Sequence, residues 1–304
     1  MRSADFPLRD GVGASCVALP AGSWPTVLDF LEARFPAIGR AEWVLRMQHG
    51  AVFDHNGVAL RSESPYRAHS QVFYYRSLAS EAIIPFQETV LFQDEWLVVA
   101  DKPHFLPVTP SGIYLQETLL VRLKRRLGIA SLTPIHRIDR DTAGLVLFST
   151  VPEMRDRYQA LFRDRAVDKV YEAIAPWRQD LALPLVYRSR LAESSVFMQM
   201  AEVDGTPNAQ TGIELIERRG TQALYRLQPS TGQKHQLRAH MAALGIGIVN
   251  DRIYPTLQPA TSATAAPDYS QPLQLLARSL AFTDPVTGQR RRFDSERHLQ
   301  SWQS

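Results

Sequence analysis

Cysteine is nearly absent from this 304-residue chain, in which Cys16 is the only one. A lone thiol cannot close an internal disulfide, and it rules out four-cysteine zinc sites and iron–sulfur clusters. A reducing cytoplasm is the expected compartment. Long apolar runs are missing too. No segment approaches the roughly 20 apolar residues of a membrane-spanning helix. The stretch from Met1 to Leu19 has no apolar core of the kind a secretory signal carries. The sequence contains no G-x-G-x-x-G, no P-loop and no G-x-S-x-G, which argues against nucleotide cofactors and serine hydrolysis. Lysine is scarce: only Lys102, Lys124, Lys169 and Lys234 among 34 basic residues. Arginine supplies the rest. Its planar, permanent charge suits phosphate and stacks on bases, although from composition alone arginine-rich codon usage is the better account.

What is present is ordinary for a globular protein: 45% apolar residues, 21% charged and a net charge of +3. That composition excludes wholesale disorder, and the length allows one large domain or two smaller ones. Residues 1–22 read as an extension. From Thr26 the apolar spacing turns helical, and a second helix over Ala41–His49 is stopped by Gly50. Ala51–Phe53 and Val58–Leu60 flank Asn56-Gly57, a hairpin signal. A boundary is expected near Pro85, giving domains over 23–84 and 85–304. In the second domain, Thr89–Phe92 and Trp96–Ala100 read as a hairpin. Leu115–Leu127 reads as a helix closed by Gly128, with Arg122, Lys124, Arg125 and Arg126 on its polar face. Gly144–Phe148 reads as a buried strand and Glu153–Phe162 as a helix. Lys169–Ala175 reads as an alternating strand, and Gln233–Leu244 as a helix. Thr256–Gln271 is a low-complexity loop. Strands and helices mix without βαβ alternation, which predicts an α+β fold.

Three stretches could carry chemistry. The loop His136-Arg137-Ile138-Asp139-Arg140-Asp141 runs straight into the buried strand. Asp139 therefore sits near a rigid element with arginines on both sides, surroundings that favour an ionised carboxylate and make it a candidate nucleophile. The plainer reading is a turn whose carboxylates pair with neighbouring arginines. Lys169 and Tyr171 share one face of a strand. There the ring could stack on a base or the hydroxyl could move a proton, or the residue could simply pack against its cross-strand neighbours. In Thr231–His240, a Thr-Gly turn leads into a helix carrying Lys234, His235 and Arg238. Cations at a helix start suit an anion, whether phosphate or a carboxylate such as Asp139; a solvated basic helix start is the ordinary alternative. A histidine metal site is disfavoured. His235 and His240 are five apart, about 140° around a helix, so they do not share a face. No metal is expected.

Together, in order and in wording, these stretches resemble the RluA-type RNA pseudouridine synthases. HRIDRDTAGLVLFST is similar to the family's H-R-L-D-x-x-T-S-G-L-L-L-F, and KVYEAI to K-x-Y-x-A. TGQKHQLRAHMAALGIGIVNDRIYP is similar to T-G-R-x-H-Q-I-R-x-H-L-x-x-x-G-x-P-I-x-G-D-x-x-Y. DKPHFLPVTPSG and LQLLARSLAFTDPVTG resemble flanking motifs, so the likeness spans roughly Thr89 to Asp294. It implies a mixed, largely antiparallel sheet flanked by helices and loops. It also implies that uridine in rRNA or tRNA becomes pseudouridine, with no cofactor. The N1–C1′ bond breaks, the base turns, and C5 bonds to C1′. By position, the resemblance makes Asp139 the catalytic carboxylate, Tyr171 the residue that stacks on the base, and Arg238 the partner of Asp139. It makes Arg137 the residue that engages the flipped nucleotide, since a stacked base is out of reach. Arg140, Lys169, Lys234 and His235 are further candidates for RNA contact. The chain departs from the motifs at Ala143, Gln233, Asn250, Leu276, Asp284 and Thr109, none of them a proposed catalytic position.

VLDFLEARFPAIGRAEWVLRMQHGAVFDHNG resembles an S4-type RNA-binding domain, which would make Arg34, Arg40 and Arg46 phosphate contacts. Gly39 stands where that family has serine. RNA is the expected partner, with no membrane and no obligate protein partner, and the chain is expected to be a monomer. Residues 121–170 hold eleven basic and six acidic residues, a local excess expected to form a basic patch around the site. Two other classes remain open. A non-catalytic RNA-binding or ribosome-assembly protein would keep the fold. A glycosidase would use Asp139 with Glu172, but Glu172 should face away from Tyr171.

Overall fold

The computed structural model describes residues 6–78, 80–259 and 267–302. The chain divides into two compact units, one of residues 1–81 with 109–131 and the other of residues 82–108 with 132–304. The boundary expected near Pro85 thus falls between residues 81 and 82. The stretch 109–131, read as part of the second domain, belongs with the first unit.

In the first unit, Thr26 caps helix α1 (Val27–Arg34) by accepting from the Asp29 amide while Asp29 returns the bond, a complete capping box. Helix α2 (Arg40–Gln48) follows. Strands β1 (Ser15–Ala18), β2 (Val52–Asp54) and β3 (Gln71–Tyr74) form an antiparallel sheet in the order β1-β3-β2. The expected turn is present: Asp54 accepts from the amides of Asn56 and Val58, and Gly57 supplies a φ of 82°. Leu28, Leu31, Trp43, Met47, Val52 and Val72 bury the apolar faces of helices and sheet against each other. Helix α3 (Leu119–Leu127) begins four residues later than its apolar spacing suggests. The amides of Leu115, Gln116 and Glu117 are all held by the Glu81 carboxylate, so that turn is fixed outside the helix.

The second unit is built on one sheet of eleven strands. They are β4 (Thr89–Gln93), β5 (Leu97–Lys102), β6 (Thr133–Pro134), β7 (Ala143–Ser149), β8 (Asp168–Pro176), β9 (Leu185–Glu193), β10 (Met200–Val203), β11 (Ala209–Arg219), β12 (Gln222–Pro229), β13 (Leu275–Thr283) and β14 (Arg290–Asp294). The main path runs β10-β9-β11-β12-β8-β13-β7-β5-β4. Every neighbouring pair is antiparallel except β13 and β7. This is the α+β fold the element order predicts, with the mixed, largely antiparallel sheet that the resemblance implies. Two helices pack on it: α4 (Arg155–Arg163), entered through a 3-10 turn over Pro152–Met154, and α5 (Gln236–Ala243). Leu97, Val99, Leu145, Leu147, Tyr158 and Phe282 form one core cluster. Ile213, Tyr225, Leu227, Met241, Ile246 and Leu275 form another.

Strand β7 is buried along its whole length, which explains its unbroken apolar reading. Its parallel contact with β13 pairs Ala143 with Leu276 and Gly144 with Ala277. Gly144 has φ 109°, and a Cβ there would lie 2.3 Å from the Ala277 carbonyl oxygen, so only glycine fits. Part of the low-complexity loop, residues 260–266, lies outside the described residues.

Candidate active site

Asp139 lies in the loop that enters β7, and the backbone beneath it is pinned at three successive carbonyls. The Asp139 carbonyl accepts from the Thr142 amide at 3.2 Å. The Arg140 carbonyl accepts from Lys102 Nζ at 2.9 Å. The Asp141 carbonyl accepts from His104 Nδ1 at 2.7 Å. Lys102 is fully buried and also donates to the Pro103 carbonyl. Burial pushes its pKa down to about 7, against the pull of Asp141 and Asp139. His136 sits beneath the same loop. It stacks on Phe162 and accepts from the Leu147 amide, and burial holds it neutral with a pKa of about 3. These groups fix the loop from within, so the Asp139 side chain is presented by a rigid support.

The carboxylate meets a second charge chain from α5. Arg238 Nη1 donates to Asp139 Oδ2 at 3.2 Å. Its other edge donates to both oxygens of Asp251, at 2.8 and 2.7 Å. Asp251 in turn accepts from the amides of Ile253 and Tyr254. Burial works against the charge on Arg238, but Asp251, Asp139 and Asp141 outweigh it and raise its pKa above the usual arginine value. The result is a fixed, permanently charged guanidinium with one N–H aimed at Asp139.

Tyr171 lies on β8 opposite Leu227 and Ala277. Burial and the negative charge of Asp139 push its phenol above the ordinary tyrosine value, so it stays protonated at neutral pH. Its hydroxyl makes no hydrogen bond among the described residues. Glu172 points to the other side of the strand and pairs with Arg278 at 3.3 Å. That geometry removes the Asp139–Glu172 glycosidase reading.

The helix expected over Gln233–Leu244 starts only at Gln236, because His235 adopts a left-handed φ of 53°. The Gln236 side chain closes the preceding turn, accepting from Thr231 Oγ1 and the Gln233 amide and donating to the Gln210 carbonyl. Lys234 therefore precedes the helix and is exposed, while Arg238 is buried, so the two do not share a face. His235, read as an RNA contact, is turned inward with its side chain 7% exposed, its Nε2 3.9 Å from Asp139 Oδ2. Lys169 donates to the Thr231 carbonyl at 2.8 Å, and burial lowers its pKa to about 8. Arg137 is exposed and without an ion pair among the described residues. Arg140 is exposed and holds Asp141 at 2.8 Å.

The basic patch is distributed differently from its sequence count. Arg122, Lys124, Arg125 and Arg126 lie on α3 in the first unit. Arg163 is taken up by Asp156 and Asp164. In the first unit Arg40 pairs with Asp29 and Glu32, and Arg46 pairs with Glu42 while lying over the Trp43 ring. Sequence reasoning passed over Lys102, His104, Asp251 and Tyr254 as site residues. The D-x-x-Y spacing of Asp251 and Tyr254 was the available signal.

The chain that carries this site is similar to known proteins along much of its length. The RNA pseudouridylate synthase family profile matches residues 96–243. An uncharacterized RNA pseudouridine synthase of Synechocystis is 30% identical over 79% of this chain and 84% of its own length. The chain belongs to the RNA pseudouridine synthase family. It is of the RluA type, an isomerase that converts uridine in RNA to pseudouridine. Ribosomal large subunit pseudouridine synthase D of Pseudomonas aeruginosa is 28% identical to it over 68% of this chain and 67% of that protein. Among solved structures, human RNA pseudouridylate synthase domain containing 4 aligns with a TM-score of 0.51 at 26% identity. That match covers 68% of this synthase and 87% of the human chain. No helix among the described residues is long and apolar enough to cross a membrane.

Proposed function

We propose that this synthase isomerises particular uridines in structured rRNA or tRNA, in the cytoplasm and as a monomer, with Asp139 as the catalytic carboxylate. The observation that carries the reading is the Asp139–Arg238–Asp251 chain: a half-exposed carboxylate on a pinned loop, held at one oxygen by a buried guanidinium. Breaking the N1–C1′ bond leaves electron deficiency at the sugar and negative charge on the base. An ionised carboxylate can attack or stabilise the first. Tyr171, close to Asp139, offers a flat ring against the turning base; its phenol keeps its own proton, so removal of the C5 proton falls to another group. No metal or cofactor is required for any of these steps.

The target nucleotide must leave its stack to reach a carboxylate set in this loop. Arg137 and Lys234, exposed and unpaired among the described residues, are the cations suited to hold it and the adjoining phosphates, with Arg140 and Lys169 beside them. We read the first unit as S4-like, from its two helices followed by the Asn56-Gly57 turn. Of its three candidate arginines, Arg34 alone pairs with no carboxylate among the described residues. Pseudouridine mapping of cellular RNA from a strain lacking the protein, complemented with wild type or Asp139→Asn, tests the assignment. Wild type should restore modification at one or a few sites. Asp139→Asn should bind RNA but restore none, a loss of at least about a thousandfold. Full activity of Asp139→Asn would sink the reading, and no change at any site on deletion would favour a binding or assembly role.

A further inference from the structure

Two buried side chains beside Asp139, His235 and Tyr254, have no part in the reaction as described so far. Arg238 Nη1 and His235 Nε2 both face the same carboxylate oxygen, Oδ2, at 3.2 and 3.9 Å. Oδ1 takes no hydrogen bond among the described residues. Behind the imidazole, His235 Nδ1 lies 3.2 Å from the Tyr254 hydroxyl, and that hydroxyl accepts from the Met200 amide at 2.6 Å.

The proton positions follow from this chain of partners. Met200 has only an N–H to give, so the Tyr254 oxygen is an acceptor there. The hydroxyl proton of Tyr254 then needs an acceptor of its own, and Nδ1 is the one at hand. Burial lowers the His235 pKa despite the opposing pull of Asp139, so the ring is neutral and carries one N–H. With Nδ1 accepting, that N–H is on Nε2 and is directed at Asp139. The left-handed backbone at His235, which keeps the residue out of α5, aims the ring this way. At 3.9 Å the contact is too long for a direct hydrogen bond, a gap of the kind that closes when substrate is bound.

We propose that Tyr254 and His235 are positioning residues that fix which oxygen of Asp139 meets the nucleotide. The inference rests on Asp139 being the catalytic carboxylate. Arg238 donates to Oδ2 and the His235 N–H faces that same oxygen at 3.9 Å, poised to close on it, so Oδ1 is left for the sugar or base. Without the Tyr254 hydroxyl, the imidazole is free to carry its proton on Nδ1. The Nε2 lone pair would then face the carboxylate and repel it, turning Asp139 away from its working orientation. Arg238 alone does not prevent this, because it holds Oδ2 through a single N–H.

Turnover breaks the C5–H bond of uridine, so tritium release from RNA labelled with 5-³H-uridine reads the reaction. Total RNA from a strain lacking the protein serves as the substrate. Under single-turnover conditions, His235→Ala should slow release about 100-fold and Tyr254→Phe about tenfold, with RNA affinity within about twofold of wild type. His235→Gln, whose amide N–H reaches the place of Nε2, should recover to within about tenfold of wild type. The double variant Tyr254→Phe/His235→Gln should be no slower than His235→Gln, because the hydroxyl acts only through the imidazole. Wild-type rates in Tyr254→Phe, or effects that multiply in the double variant, would overturn the proposal. Should His235→Ala fail to fold, the comparison of Tyr254→Phe, His235→Gln and their combination still decides. Asp139→Asn in the same assay keeps the two failures apart. If it is inactive while the His235 and Tyr254 variants run at full rate, only the positioning role is lost. If it is active, the assignment beneath it falls.

Discussion

Arginine sits in three different settings in this synthase, and examples from its two units show the contrast. In the first unit, Arg40 is held by Asp29 and Glu32, and Arg46 by Glu42. Their charge is already answered within the fold. In the second, Arg137 and Lys234 reach solvent with no carboxylate beside them among the described residues. Arg238 is a third case, 2% exposed and shared between Asp139 and Asp251. Arginine occurs in all three settings, so residue type cannot tell a binding cation from a structural one. The presence or absence of a nearby carboxylate can, and burial then separates a surface pair of little consequence from a pair on which the site depends.

The largest expected effect comes from breaking the buried pair. Arg238→Met leaves Asp251 charged and without its partner in the interior, and should lower unfolding free energy by about 3–5 kcal/mol in urea titrations as well as abolish turnover. A variant as stable as wild type would show that Arg238 belongs with the surface pairs. Acid comes next. His104, His136 and His240, all in the second unit, have pKa values lowered by burial to about 4, about 3 and about 4. Each takes up a proton more readily when unfolded. Their stabilising contribution is therefore complete above about pH 6.5 and shrinks as pH falls toward 4, by about 2 kcal/mol per histidine at pH 5. Hydrogen exchange at pH 7 and pH 5 should show protection lost in β7, β8 and β11. Equal protection at both values would contradict burial as the cause.

Smaller still is the loss of an unpaired cation. Arg137→Ala should weaken RNA binding about tenfold, with a shallower salt dependence and unchanged thermal stability. The mildest test divides the first unit. Arg34→Ala should weaken RNA binding measurably, whereas Arg40→Ala should leave affinity within about twofold of wild type, since Arg40 is already occupied. The reverse order would undo the comparison between the units.

Much of the site was legible because it is carried by short motifs at element ends. The polar loop before a solid apolar run marked Asp139 at the mouth of β7. The alternation of Lys169–Ala175 placed Tyr171 on one face and Glu172 on the other, as observed. Lys102 and His104 were not legible as supports, because they act on the backbone carbonyls of Arg140 and Asp141, and a carbonyl leaves no trace in residue identity. The inward turn of His235 was hidden for a similar reason: a left-handed φ at a non-glycine residue has no compositional sign. The cations of α3 were counted with the second domain because residues 121–170 are contiguous in sequence, whereas the fold groups residues 109–131 with the first unit.

The parallel contact of β7 with β13 sets an order in time. Strand β7 ends at Ser149, and its neighbour β13 does not begin until Leu275. Asp139 and Arg238 are themselves 99 residues apart. A ribosome making this chain exposes the Asp139 loop long before it releases the strand that locks Gly144 or the helix that brings Arg238. Such long-range closure is slow. The nascent chain therefore cannot assemble this site, even beside the RNA of the ribosome producing it, until β13 has been made.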